Sequence, residues 1–420
     1  MGLRYTCEMK TEVRATNEVT RRTVMKGLAT VSMATRAPAQ GSNYDVAVIG
    51  AGVFGSWAAH HLRRAGKRVI LIDSYGAASS RASSGGESRV IRCAYGLDEL
   101  YSRFAQKSLG QWKELGRRVN STLFQPVGVL HMGAKGDKSI TATAGVLAKL
   151  GIPHQKLSQA ELMKRFPQFF LGDVDQAIFE PESGALMARR SVQMLVQEMS
   201  QAGLEVVLEP VLPPSAKGRM DSVKTAGGRT ISAGAFVFAC GPWLPKVFPA
   251  ELGNRIFPTR QEMFFFGAPA GERRFTVPAM PCWIGPDNLY GLPDLENRGF
   301  KIADDDHGPP IDPDSVDRLI PKESLAAMRR RLGARFPAMK NAPLVESRVC
   351  QYENSANGDF LLDKHPSIDN VWLAGGGSGH GFKHGPAVGE YLAGRILGTQ
   401  TAEPRFSFVS KGTVQKRSVY

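Results

Sequence analysis

Cysteine is scarce in this chain of 420 residues. The five present (Cys7, Cys93, Cys240, Cys282 and Cys350) lie far apart with no Cys-x-x-Cys pair, so neither a disulfide framework nor a zinc site is indicated. Long apolar runs are also missing. The mildly apolar stretch from Gly27 to Ala34 is too short to span a bilayer, and no integral membrane segment is expected. No internal repeat or low-complexity tract occurs, which excludes a repeat architecture. Blocks of like charge are absent as well. The formal charge is +14, and the first 40 residues contribute seven Lys/Arg against three Glu. The remaining cations are scattered, so no nucleic-acid partner is expected, and a small anionic substrate steered by the general field is the milder reading.

What is present is ordinary globular material, 42% hydrophobic and 22% charged, long enough for two or three domains. Its 45 glycines are numerous, and many fall where backbone must approach a ligand. Thr20-Arg21-Arg22-Thr23-Val24-Met25-Lys26, the apolar stretch after it and Ala37-Pro38-Ala39 resemble a twin-arginine leader with a small-x-small cleavage site. Residues 1–40 are therefore expected to be an export signal, and the mature protein periplasmic. A basic N-terminus without that function would leave the protein cytoplasmic.

The β-branched run from Tyr44 to Ile49 predicts a buried strand. It leads into Gly50-Ala-Gly52-Val53-Phe54-Gly55, a helical pattern from Ser56 to Ala65, and a second apolar run ending at Asp73. Together these form the βαβ fingerprint of a Rossmann-type dinucleotide site. Gly50 permits the tight turn, Gly52 lets backbone approach a pyrophosphate, and Gly55 lets the helix pack on the sheet. The diphosphate would lie at the helix N-terminus, beside Val53 and Phe54, where unpaired N–H groups and the dipole favour an anion. Asp73 would accept from ribose hydroxyls. This fingerprint does not choose between NAD and FAD. A second apolar strand, Val371 to Ala374, runs into Gly375-Gly376-Gly-Ser-Gly379-His380-Gly381-Phe-Lys383 and a predicted helix from Pro386 to Ile396. Two glycine-rich strand-to-helix turns over 300 residues apart suggest a long cofactor such as FAD.

Four motifs carry a family resemblance: Ser83-Ser-Gly-Gly-Glu-Ser88-Arg89-Val-Ile-Arg92, Tyr290 with Lys301 eleven residues on, Arg348-Val-Cys350-Gln-Tyr352, and Gly379-His-Gly-Phe-Lys383. With the fingerprint, they resemble the family of monomeric sarcosine oxidase, N-methyltryptophan oxidase and pipecolate oxidase, over roughly Tyr44 to Leu397. The resemblance implies that Ser88 and Arg89 lie beside the flavin ring. It implies that Arg92 and Lys383 hold a substrate carboxylate, which an arginine fork suits. Tyr290 and Tyr352 would face the substrate, and Lys301 would stabilise the charge that develops as dioxygen is reduced. Cys350 would hold FAD covalently, with Arg348 helping to lower its pKa. Gly376, Gly379, Gly381 and Lys383 would form the flavin's second turn. The family often has a histidine four residues after the lysine, where this chain has Asp305.

The implied fold is α/β, a Rossmann-type FAD-binding domain (44–125, 185–258 and 345–400) with a second, mixed-sheet α+β substrate domain (126–184 and 259–344). Residues 302–317, acidic and Pro-rich, read as a surface loop, and 401–420 as an arm or frayed tail. No metal site is expected, although His380 and His384 are four apart. The implied function is oxidation of a secondary amino acid by a monomer, hydride passing to FAD, an imine leaving, and O₂ giving H₂O₂. The alternative is a dehydrogenase of the same fold passing electrons to a quinone or protein acceptor.

Overall fold

A computed structural model describes residues 44–415; the leader assigned to 1–40 lies outside them. The strand Tyr44–Ile49 lies between Thr230–Phe238 and Val69–Asp73, parallel to both. Glu205–Leu208 extends this sheet in parallel beyond Val69–Asp73, and Ile368–Gly375 does so beyond Thr230–Phe238. Leu361–His365 closes one edge as an antiparallel hairpin. Such a sheet is covered on both faces, which explains its unbroken apolar runs. Val46 and Val48 face a core with Trp57 and Leu62 of the helix Val53–Arg64, whereas Ala47 and Ile49 face Phe236, Phe238 and Leu244.

A second, eight-stranded sheet has the order 344–355, 256–266, 300–304, 289–292, 282–284, 129–134, 174–180, 155–158. The strand Leu344–Ser355, assigned from sequence to the dinucleotide part, pairs along Ile256–Phe266 in this sheet instead. Its partner is distant in sequence, so local periodicity held no sign of it. Period-two alternation sorts these strands cleanly. Phe264, Phe266, Phe300 and Ile302 enter an aromatic core with Trp283 and Phe336. Met263, Phe265, Ala303 and Cys350 turn to the other face with Tyr290. The odd-numbered side chains of Phe300–Asp304 are thus committed to one side, and Lys301 goes with them.

The segment expected to be a tail is packed as far as Lys411. Phe406 is fully buried between Tyr101, Phe360 and Tyr391, and Arg405 bridges Asp98 and Asp359. One aromatic and one arginine, matched by distant partners, outweigh the local lack of periodicity. No helix among the described residues is long and apolar enough to cross a membrane.

Phe406→Ala removes a buried ring and should cost about 3–5 kcal/mol of stability. Urea unfolding followed by circular dichroism checks this, and a change below about 1 kcal/mol would mean that the segment is not packed in solution.

Candidate active site

Two cavities are framed by the residues singled out from sequence. The smaller, about 360 Å³, is lined by Gly50, Gly52, Val53, Phe54 and Asp73, with Ser83, Ser84, Trp243 and Glu353. Gly50 has φ +107°, and a Cβ there would lie 2.2 Å from the Ala239 carbonyl oxygen. Gly55 is off the cavity; a Cβ on it would come within 1.9 Å of the Gly50 carbonyl oxygen, so its role is close packing of helix on turn. The helix Val53–Arg64 has no acid in its first turn, and its first N–H, that of Val53, donates to the neutral Ser84 hydroxyl at 3.0 Å. Its positive end thus faces the cavity without a protein anion. Asp73 is held rigidly: Ala51 N–H donates to Oδ2 at 2.7 Å, and Tyr75 and Gly76 N–H donate to Oδ1 at 2.8 Å. Glu353, which sequence reasoning missed, is buried here with Oε1 unpartnered among the described residues. Burial pushes its carboxyl up to about 8, against the backbone N–H groups of Gly376 and Gly377. A helix N-terminus without acids, a fixed aspartate and a carboxyl with one unpartnered oxygen fit a ribose-diphosphate ligand, and the cavity fits FAD.

The larger cavity, about 700 Å³, brings together Arg89, Arg92, Tyr290, Cys350, Tyr352, Gly379 and Lys383. Arg92 is buried, donates to the Ala94 carbonyl, and lies 4.5 Å over the Tyr95 ring. Glu180 fixes the chain just beyond it, accepting from Cys93 and Ala94 N–H at 2.7 and 3.1 Å. Lys383 Nζ donates to Tyr95 Oη at 2.7 Å and to the His380 carbonyl at 3.0 Å. Trp112 Nε1 donates to the Lys383 carbonyl at 2.9 Å and its ring stacks on Phe382, which steadies the loop. Burial, then the charge of Arg92, hold the Lys383 ammonium well below its ordinary range. Two buried cations in one cavity call for an anion. His131, also missed, lines the same cavity and is pushed down to about 3 by burial and by Arg92.

The eleven-residue spacing of Tyr290 and Lys301 has a simple cause. Tyr290 pairs with Ala303 across antiparallel strands, so Lys301 is its diagonal neighbour on the same face, 5.7 Å from the ring. Lys301 is 1% exposed and lies outside the larger cavity, bordering a recess of about 10 Å³ with Ser88, whose carbonyl accepts from Nζ at 3.0 Å. Burial, then the charge of Arg89, lower its ammonium to about 7. Arg89 Nη2 is 3.6 Å from Cys350 Sγ. The cation at the sulfur is therefore Arg89, not Arg348 as expected from sequence. Arg348 is engaged by Glu346 and, at 3.1 Å, by Glu87. Gly379 has φ +79°, and a Cβ there would lie 2.8 Å from the Tyr352 ring. Gly376 and Gly381 line neither cavity; they shape the loop. His380 and His384 both meet Tyr95 Oη, at 3.2 and 2.8 Å. Among the described residues no group of three or more His, Cys, Asp or Glu could hold a metal.

Residues 45–395 match the family described as FAD dependent oxidoreductase (DAO). The chain is 30% identical over 363 residues to peroxisomal sarcosine oxidase of Homo sapiens, covering 84% of this chain and 92% of that protein. It is 31% identical over 362 residues to monomeric sarcosine oxidase of Bacillus sp. (strain NS-129), with the same coverage. The solved structure of L-proline dehydrogenase from P. horikoshii superposes with a TM-score of 0.75 at 20% identity, covering 87% of this chain and 97% of that one.

Glu353 yields a stability test. Its folded pKa of about 8 stands above the ordinary 4.5, so the folded chain binds the proton more tightly. The stability it contributes is full at low pH and is lost as pH rises through about 8. Glu353→Gln should flatten the fall in Tm between about pH 5 and 8, on a scale of about 1.4 kcal/mol per pH unit. Parallel Tm profiles for the two proteins would refute the buried, neutral carboxyl.

Proposed function

The chain belongs to the FAD dependent oxidoreductase (DAO) family, and from that premise we propose that it oxidises the amine carbon of a secondary amino acid, sarcosine or a larger N-alkyl or cyclic relative, with O₂ as acceptor. The observation that carries this reading is the pairing of Arg92 and Lys383, two buried cations in one cavity with Tyr290 and Tyr352. The names of the two sarcosine oxidases support the same substrate class.

FAD, when bound, supplies the two-electron acceptor for the amine and passes the electrons on to dioxygen. The chain supplies position and electrostatics. Arg92, clamped over Tyr95, and Lys383, hung from Tyr95 and the His380 carbonyl, fix the substrate carboxylate and so the direction in which its C–H bonds point. A docking carboxylate favours the charged form of Lys383, opposing the burial that holds its ammonium down. Tyr290 and Tyr352 shape the wall around the amine. Cys350, buried beside the Arg89 guanidinium, is the residue we assign to covalent attachment of the flavin. Lys301 presents a dry cation to the negative charge that develops on dioxygen.

Three outcomes are expected. Mixed anaerobically with a panel of secondary amino acids, the yellow enzyme should bleach with at least one and release H₂O₂ on aeration; no bleaching with any would sink the proposed substrate class. Acid precipitation should leave the colour in the pellet for the wild type and in the supernatant for Cys350→Ala, and free flavin from both would remove the covalent link. Lys301→Met should leave anaerobic reduction within about twofold and slow reoxidation by about 10²–10³-fold. In the wild type reoxidation should fall as pH rises through about 7, where Lys301 loses its charge. Unchanged reoxidation in the variant would contradict this role.

A further inference from the structure

Four carboxyls line the larger cavity: Asp137, Glu262, Asp304 and Asp305. Three are engaged. Asp137 caps a helix by accepting from Ser139 N–H at 2.8 Å, Glu262 is paired with Arg260 at 2.8 Å, and Asp304 is paired with Arg331. Asp305 makes no ion pair among the described residues. Its side-chain partner is neutral, the Tyr352 hydroxyl, which donates to Oδ1 at 2.5 Å. Its backbone is fixed just past the strand Phe300–Asp304 by an N–H bond to the Asn288 carbonyl at 2.9 Å. The charges of Arg92 and Lys383 both reach it across the cavity.

The cavity thus carries two cations and one uncommitted carboxyl, the complement of an amino-acid zwitterion. An amine can give up hydride from its α carbon only when its nitrogen lone pair is free. A secondary ammonium, with a pKa of about 10 like that of lysine, arrives almost wholly protonated at neutral pH. Some group must take that proton. We propose that Asp305 receives the substrate's ammonium group and accepts its proton.

In this step one N–H bond breaks and one O–H bond forms on the Asp305 carboxyl. The lone pair stays on nitrogen and no electrons change hands. The proton is returned to water once product has left and the cavity is open. Tyr352 orients the carboxylate by holding Oδ1, leaving Oδ2 for the N–H; no donor among the described residues meets that second oxygen. Burial raises the Asp305 carboxyl above its ordinary range, while the Tyr352 hydrogen bond and the charges of Arg92 and Lys383 oppose this, and neighbouring Asp304 adds to it. Tyr290, on the adjoining strand, and Tyr352, which donates to it, are both pushed up and stay neutral. A carboxyl raised in this way is a better proton acceptor than an exposed one. Docking of the substrate carboxylate on Arg92 and Lys383 screens their charges and raises it further, so binding primes the base.

The inference rests on the secondary-amine reading, and the experiment separates the two. Flavin-loaded wild type and Asp305→Asn are mixed anaerobically, from about pH 6 to 10, with whichever panel amino acid bleaches the wild type fastest. Methoxyacetate, which keeps the carboxylate and replaces the amine by an ether oxygen, serves as the comparator for binding, read as a shift in flavin absorbance. The variant should fall behind the wild type most at the acidic end of the range, where water is its only proton acceptor, by about 10²-fold at pH 6, and should recover at alkaline pH. Methoxyacetate should bind both proteins within about twofold. Asp305→Glu, which keeps an ionisable oxygen, should retain the wild-type shape of profile at a lower rate. Parallel pH profiles for wild type and Asp305→Asn, or equal weakening of amino acid and ether, would overturn the role of Asp305 and leave the secondary-amine reading intact. Failure of every amino acid to bleach the wild type would overturn both.

Discussion

The arrangement depends on burying cations. Arg92, Lys301 and Lys383 are each nearly inaccessible, and a buried ammonium or guanidinium without a compensating anion is costly. The protein offsets the cost with neutral oxygen acceptors: the Ala94, Ser88 and His380 carbonyls and the Tyr95 hydroxyl. These acceptors satisfy donors but cancel no charge, so the ammonium groups of Lys301 and Lys383 are held below their ordinary range. A site built this way is an interior waiting for negative charge. In the proposed reaction that charge would come from a carboxylate at Arg92 and Lys383 and from reduced oxygen at Lys301.

Everything around those cations serves to keep them in place. Glu180 pins the backbone after Arg92, Trp112 holds the Lys383 carbonyl, and the strand alternation that sends Phe300 and Ile302 into the aromatic core sends Lys301 the other way. The two sheets share the work. The parallel sheet presents a helix N-terminus and a rigid Asp73 to the smaller cavity, and the eight-stranded sheet presents Tyr290, Cys350 and Tyr352 to the larger one. Buried carboxyls appear in both places with opposite tasks. Glu353 is pushed towards its neutral form in the smaller cavity, whereas Asp305 is left without an ion pair in the larger one, where the proposal brings an ammonium.

Much of this was legible in the residues. The glycines at 50, 52 and 55, with the acid at 73, announce a phosphate turn because a strand, a tight turn and a helix end are local events. The separation of Tyr290 from Lys301 is legible too, since a short antiparallel hairpin converts sequence distance into a diagonal pair. Where the partner lies far along the chain, the reading failed or fell silent. Leu344–Ser355 joined the other sheet, Arg348 turned to Glu87 instead of the cysteine, and the supposed tail was drawn in by Phe406 and Arg405. Glu353 and His131 gave no signal, because a lone carboxyl or imidazole acquires its character from burial.

The sequence by itself determined the fold class, the cofactor turn and the set of residue types available for chemistry, because these follow from periodicity, glycine sterics and short-range pairing. Only the tertiary structure decided which of those groups meet and in what state of charge. Asp305 reads as one of three consecutive aspartates on a surface loop; folded, Asp304 is taken by Arg331, Asp306 accepts from Asn288, and Asp305, in the cavity wall, is held by a phenol. The physical reason is that charge state depends on desolvation and on neighbours brought in from other strands, and neither exists until the chain has packed.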